Sequence, residues 1–121
     1  MPQITVDYSE QLTDSFDRGG LALALHTLLN ETVDNVPLDA CKARFVRTDT
    51  TVVGAAADGH DVVHLVIGLL PGRPAEVRAR LSEAALELVR DHVKPTPGRT
   101  LHASAEVREL DVTYRKFAQE A

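Results

Sequence analysis

The stretch "VVHLVIGLL", residues 62–70, constrains the fold of this chain more than any other. It is rich in β-branched residues and nearly all apolar, which predicts a buried strand. Strand alternation puts Val63, Leu65, Ile67 and Leu69 on one face and Val62, Val66 and Leu70 on the other. A strand apolar on both faces is normally covered on both. The segment that follows, "PGRPAEVRARLSEAALELVRDHV", predicts a helix. Pro74 suits the first turn and Glu76 complements the N-terminal end of the dipole. Val77, Leu81, Ala84, Ala85 and Leu88 form its apolar stripe. "KPTPGR" breaks the helix, and "LHASAEVREL" predicts a further strand.

The first half repeats this order. In "QITVDY", Ile4, Val6 and Tyr8 alternate with Gln3, Thr5 and Asp7, as a half-buried strand does. "DRGGLALALHTLLNETV" carries Leu21, Leu25, Leu28 and Val33 near helical spacing, until Asn35 and Pro37 stop it. "CKARFVRTD" predicts a second strand, and the small, turn-rich "VGAAADGHD" a linker. The chain therefore reads as one α+β domain over residues 1–121, with β-α-β halves at about 1–50 and 61–112. Right-handed crossovers make the two strands of each half parallel. The two halves make a four-stranded sheet with both helices on one face. The other face of "VVHLVIGLL" then calls for cover by another copy of the chain, so an oligomer is expected.

Composition limits the function. The net charge of −5 lacks the basic footprint that nucleic acid or an anionic membrane surface requires. No run approaches the ~18 apolar residues of a membrane span. The single Cys41 cannot close an internal disulfide, and no secretory signal precedes Arg18, so a cytoplasmic location is expected. The sequence contains no P-loop, no G-x-S-x-G and no G-x-G-x-x-G. His60 and His64 lie four apart on a predicted strand, a span of about 13 Å, too far to share one ion. His26, His92 and His102 have no clustered partners along the chain. No metal site is expected, and Cys41 reads as a small buried hydrophobe.

Two residues remain as candidates for chemistry. Arg73 precedes a predicted helix, where free backbone N–H groups and the dipole favour an anion, and a guanidinium there can clamp a carboxylate. Pro2 either starts an edge strand, where a missing N–H does no harm, or becomes the N-terminus once Met1 is removed. In the second case it carries a secondary amine. An α-amino group titrates near about 7.7–8.0, and burial or nearby cations lower it. The ring fixes its direction. Such an amine is suited to moving a proton at neutral pH.

Met-Pro leading straight into a strand of a duplicated β-α-β chain resembles the tautomerase superfamily. The segments "MPQITVDYSE", "ACKARFVRTD", "ADGHDVVHLVIGLLPGRP" and "AEVREL" are similar, in order and spacing, to the 5-carboxymethyl-2-hydroxymuconate delta-isomerase family. The resemblance runs from Pro2 to about Phe117. It implies a homotrimer, a catalytic N-terminal proline at Pro2, and arginines that hold a small carboxylate-bearing substrate. Arg73 in "LLPGRP" matches the family arginine after the third strand. The Arg-x-Arg of the second strand becomes Lys42 and Arg44, and lysine keeps the charge but loses the bidentate fork. The implied activity is a 1,3-proton shift on an unsaturated keto acid with no cofactor. Three alternatives stay open. One is a carboxylate-binding trimer that retains Met1, and another is a structural oligomer with only surface charge. The third is dehalogenation or hydration by the same proline, for which no acidic water-activating partner is evident.

Overall fold

Alternation in the N-terminal segment becomes a strand because one of its faces is fully withdrawn from water. Ile4 and Val6 are inaccessible and Tyr8 nearly so. The computed structural model describes residues 1–121. Its elements are β1 (Gln3–Ser9), α1 (Arg18–Thr32), β2 (Lys42–Thr48), β3 (His60–Leu69), α2 (Ala75–His92) and β4 (Thr100–Glu109). They form one mixed sheet in the order β2-β1-β3-β4. The pairs β1–β2 and β3–β4 are parallel, as a β-α-β crossover demands, and β1–β3 is antiparallel.

Residues in register share a face. Ile4, Val6 and Tyr8 therefore line up with Ile67, Leu65 and Val63. Against this face α1 presents Leu21, Leu25 and Leu29, and α2 presents Leu81, Ala85 and Val89. Val33 and Val93 continue the two stripes just beyond the helix ends. The buried stripe thus runs strictly at i, i+4 in both helices. Leu28 and Leu88, which the sequence placed on the stripe, sit on its flank and are only partly buried, while Leu29 and Val89 occupy the centre. Pro74 lies one position earlier than expected, at the N-cap of α2 rather than in its first turn.

The opposite face differs from its sequence-based expectation. On β3 it carries His60, Val62, His64, Val66 and Gly68, and Leu70 falls beyond the strand. The register neighbours of His64 and Val66 are Asp7, Thr5, Ser104 and Glu106, so the apolar residues are set among polar ones. His64 bridges the Ser104 hydroxyl, 2.6 Å from its Nδ1, and Glu106, 2.9 Å from its Nε2. Arg108 donates twice to the same carboxylate. Those hydrogen bonds, Arg108 first and His64 second, hold the Glu106 carboxyl down at about 2. His102 does have a partner, contrary to the reading along the chain: its Nε2 lies 2.9 Å from His60 Nδ1. Pairing across β3 and β4 joins residues that sequence separation hides.

At the start of β3, Asp61 is buried, and Arg99 satisfies it with two 3.0 Å hydrogen bonds. A buried carboxylate needs such a partner. The arginine also reaches Asp58 at 3.0 Å, tying the mid-chain loop to the start of β4. Leu65 is wholly buried whereas Leu23 on α1 is 70% exposed. Leu65→Ala is therefore expected to cost about 2–5 kcal/mol. Leu23→Ala should stay within about 0.5 kcal/mol. Urea unfolding of the two variants measures the difference.

Candidate active site

Four strand ends meet at one edge of the sheet. Gln3 pairs with Lys42, the first residue of β2, and with Gly68 near the end of β3. Gly68 in turn pairs with Arg108 near the end of β4. Pro2 is buried at this junction. Its carbonyl accepts the Lys42 backbone N–H at 3.2 Å, which extends the β1–β2 ladder by one step. With Met1 attached, the Pro2 nitrogen is an amide and has no basic lone pair. The amine at this end belongs to Met1, and it titrates below its usual 8.0. Partial burial is the largest cause, followed by repulsion from Lys116, Arg73 and, more weakly, Lys42. All of these disfavour the ammonium.

Arg73 reaches the junction through the turn that ends β3. Gly72 takes φ +116, a conformation that side chains disfavour, and its N–H donates to Glu109 Oε2 at 3.1 Å. The Arg73 guanidinium is half-buried and donates to the carbonyls of Leu70 at 3.1 Å and Asp34 at 3.4 Å. Lys42 Nζ donates to the Ala40 carbonyl at 3.1 Å, and Arg44 donates to Gln3 Oε1 at 2.9 Å. None of the three has a carboxylate partner, whereas Arg90, Arg99 and Arg108 are all salt-bridged. Neutral acceptors fix these cations in place without neutralising them, so they can receive an anion.

Of the residues singled out in the sequence, Arg73 and Lys42 therefore gather around the N-terminus with Pro2. Arg44 lies two residues along β2, exposed on the same open face as Lys42, and is held by Gln3. An open cleft of about 370 Å³ borders Arg73, with Asn35, Gly72 and Val77 in its wall. No cleft of the single chain is lined by Pro2, Lys42 or Arg44. Cys41 is buried beside the junction, and burial pushes its thiol up. His26 on α1 has a buried Nε2 without a partner, and desolvation, then Lys42, lower its pKa. Lys116 was missed in the sequence. It belongs to a C-terminal segment with no hydrophobic period, so only the fold could reveal its position.

The family model for 5-carboxymethyl-2-hydroxymuconate isomerase matches residues 2–119. Among solved structures, the chain is similar to a 5-carboxymethyl-2-hydroxymuconate isomerase from Deinococcus radiodurans R1, with a TM-score of 0.79 and 23% identity over 95% of this chain and 88% of that one. A second structure, of a 5-carboxymethyl-2-hydroxymuconate delta-isomerase, gives 0.75 and 18% over 98% and 89%. The symmetric trimer of wild-type Q0 fused 4-OT gives 0.74 and 19% over 98% and 94%. At such identities these likenesses establish the fold. No functionally curated protein sequence matches the chain.

The charge arrangement has a direct consequence for the amine. Arg73→Ala removes a repelling cation, so the N-terminal amine should titrate higher, and Lys42→Ala should shift it less, in the order of their effects. Arg44→Ala should leave it unmoved. The pH dependence of N-terminal acylation, followed by mass spectrometry, reads all three.

Proposed function

Because the chain belongs to the 5-carboxymethyl-2-hydroxymuconate isomerase family, it is an isomerase, and we propose that its proton carrier is Pro2 after removal of Met1. The observation that carries this reading is the partly desolvated amino terminus set among Arg73, Lys42 and Lys116. Removing Met1 moves the free amine one residue inward, onto a ring buried at the head of the sheet. Desolvation and the neighbouring cations favour the neutral form of that secondary amine, the form that accepts a proton.

The reaction is a 1,3-proton shift on a small unsaturated keto acid, such as a 5-carboxymethyl-2-hydroxymuconate-like compound. Pro2 takes the proton of an enol hydroxyl or an activated carbon. The electron pair left behind forms the carbonyl or the shifted double bond, and Pro2 returns the proton to the carbon at the far end of the system. No atom is lost and nothing is oxidised. Arg73 and Lys42 hold carboxylate and stabilise charge developing on oxygen. Arg44, exposed at the same end of the open face, serves a pocket that a neighbouring subunit helps to form. Conjugation within the substrate is the electron sink, so the chemistry calls for no metal or organic cofactor.

The assembly in this reading is a homotrimer. Two points support it: no cleft of one chain encloses Pro2, and a solved structure of the same fold is a symmetric trimer. Sedimentation should then give three times the 13.2 kDa chain mass. The second reading is a trimer that retains Met1, which acylates Pro2, and that binds small carboxylates without turnover.

One experiment separates the two. Protein beginning at Pro2 should ketonise 2-hydroxymuconate, and protein with Met1 retained should not. Pro2→Ala should keep the fold, by circular dichroism, and lose about 100-fold or more in kcat, the scale of a general acid–base group. Equal turnover by Pro2→Ala would sink the proposal.

A further inference from the structure

Along the chain His60 has only His64 for company, too far away to share an ion. Across the strands it has His102. His60 pairs with Thr100 and Val62 pairs with His102, so the two histidines are diagonal neighbours on the open face, at the starts of β3 and β4. His60 Nδ1 lies 2.9 Å from His102 Nε2, with ring centroids 5.2 Å apart and planes inclined by 32°. This end of the sheet is remote from the proline edge. From His60 to Gly68 the strand runs on the order of 25 Å.

The backbone beneath both rings is fixed. The Thr100 N–H donates to the Gly59 carbonyl at 3.0 Å, and Arg99 donates to the His60 carbonyl at 3.4 Å. The Arg99 charge is itself offset by Asp58 and Asp61, so it does not bar a second cation. His102 is exposed and His60 half-buried, which leaves room for water beside them. Two imidazoles on one ion, through bonds of about 2.0–2.1 Å, hold their nitrogens about 2.9 Å apart in adjacent square-planar or octahedral positions. In tetrahedral positions the separation is about 3.3 Å. The observed 2.9 Å fits the first arrangement. In the hydrogen-bonded pair the two nitrogens face each other, and rotation about each Cβ–Cγ bond turns both lone pairs toward one point on the solvent side.

We propose that His60 and His102 form a two-histidine site for a borderline divalent transition-metal ion, Ni(II), Cu(II) or Zn(II), separate from the proline chemistry. His60 binds through Nδ1 and His102 through Nε2, water fills the remaining positions, and the proton shared between the rings leaves to solvent. Imidazole suits these ions, whereas Mg(II) and Ca(II) take oxygen ligands that the pair does not offer. The bound ion ties the start of β3 to the start of β4.

Calorimetric titration of the full chain with Ni(II) is the test. The wild type should bind one ion per chain, and excess Mg(II) should not compete. His60→Ala and His102→Ala should each weaken binding by about tenfold or more, since even a partner outside the coordination shell costs that much. His92→Ala, on another element, should leave binding unchanged. Circular dichroism checks each fold, and His60→Gln or His102→Gln replaces an alanine variant that does not fold. No saturable binding by the wild type, competition by Mg(II), weakening in only one of the two strand variants, or equal weakening by His92→Ala overturns the proposal.

Discussion

The antiparallel pairing of β1 with β3 is the constraint on which the rest of the structure depends. It fuses two β-α-β units into one sheet and buries Ile4, Val6 and Tyr8 against Ile67, Leu65 and Val63. It also settles which chain ends meet. A parallel partner begins beside the beginning of its neighbour, and an antiparallel partner ends there. The starts of β1 and β2 and the ends of β3 and β4 therefore fall at one edge, and with them Pro2, Lys42, Arg73 and the segment that follows Glu109. Had the halves joined in parallel, Arg73 would lie a strand length away from Pro2, on the order of 20 Å.

The two faces of the sheet divide the work. One is a layer of aliphatic side chains beneath two helices, where volume and burial decide stability. The other bears histidines, carboxylates and hydroxyls in cross-strand contacts, from His60–His102 to Ser104–His64–Glu106–Arg108. The chain is acidic as a whole, and on and beside this sheet Arg99 engages Asp61 and Arg108 engages Glu106. At the proline edge the cations are held by carbonyl and amide oxygens instead. A neutral acceptor orients a cation and leaves its charge available, whereas a carboxylate would consume it. That difference sets these cations apart from the ion-paired arginines, though Arg18, Arg78 and Arg115 also donate only to carbonyls, so it is their position near the amino terminus that marks the candidate site.

Much of the fold was legible from residue spacing. Period-two alternation in residues 3–8, the apolar run through Leu65 and Ile67, and the helix breaks at Asn35–Pro37 and Pro95–Pro97 each reflect a local rule that the tertiary structure keeps. The misreadings are also physical. Leu28 and Leu29 are adjacent leucines, and choosing between them requires knowing which direction the sheet lies. The open face of β3 looked apolar because a sequence displays one strand at a time. Its real surroundings are the polar residues of β1 and β4 brought beside it in register. His102 looked isolated for the same reason.

By itself the sequence determined the elements, the parallel crossovers, the family resemblance and the candidacy of Pro2, Lys42, Arg44 and Arg73, because each rests on neighbours within a few residues or on short motifs. Only the tertiary structure decided that Arg73, Lys42 and Lys116 come near the amino terminus, and that Arg44, on the same face of β2 as Lys42, is held by Gln3. Those facts depend on register between strands and on where a segment without period comes to rest. Such placements depend on contacts between residues far apart in the chain, as Gln3 is from Tyr114, and no local pattern encodes them.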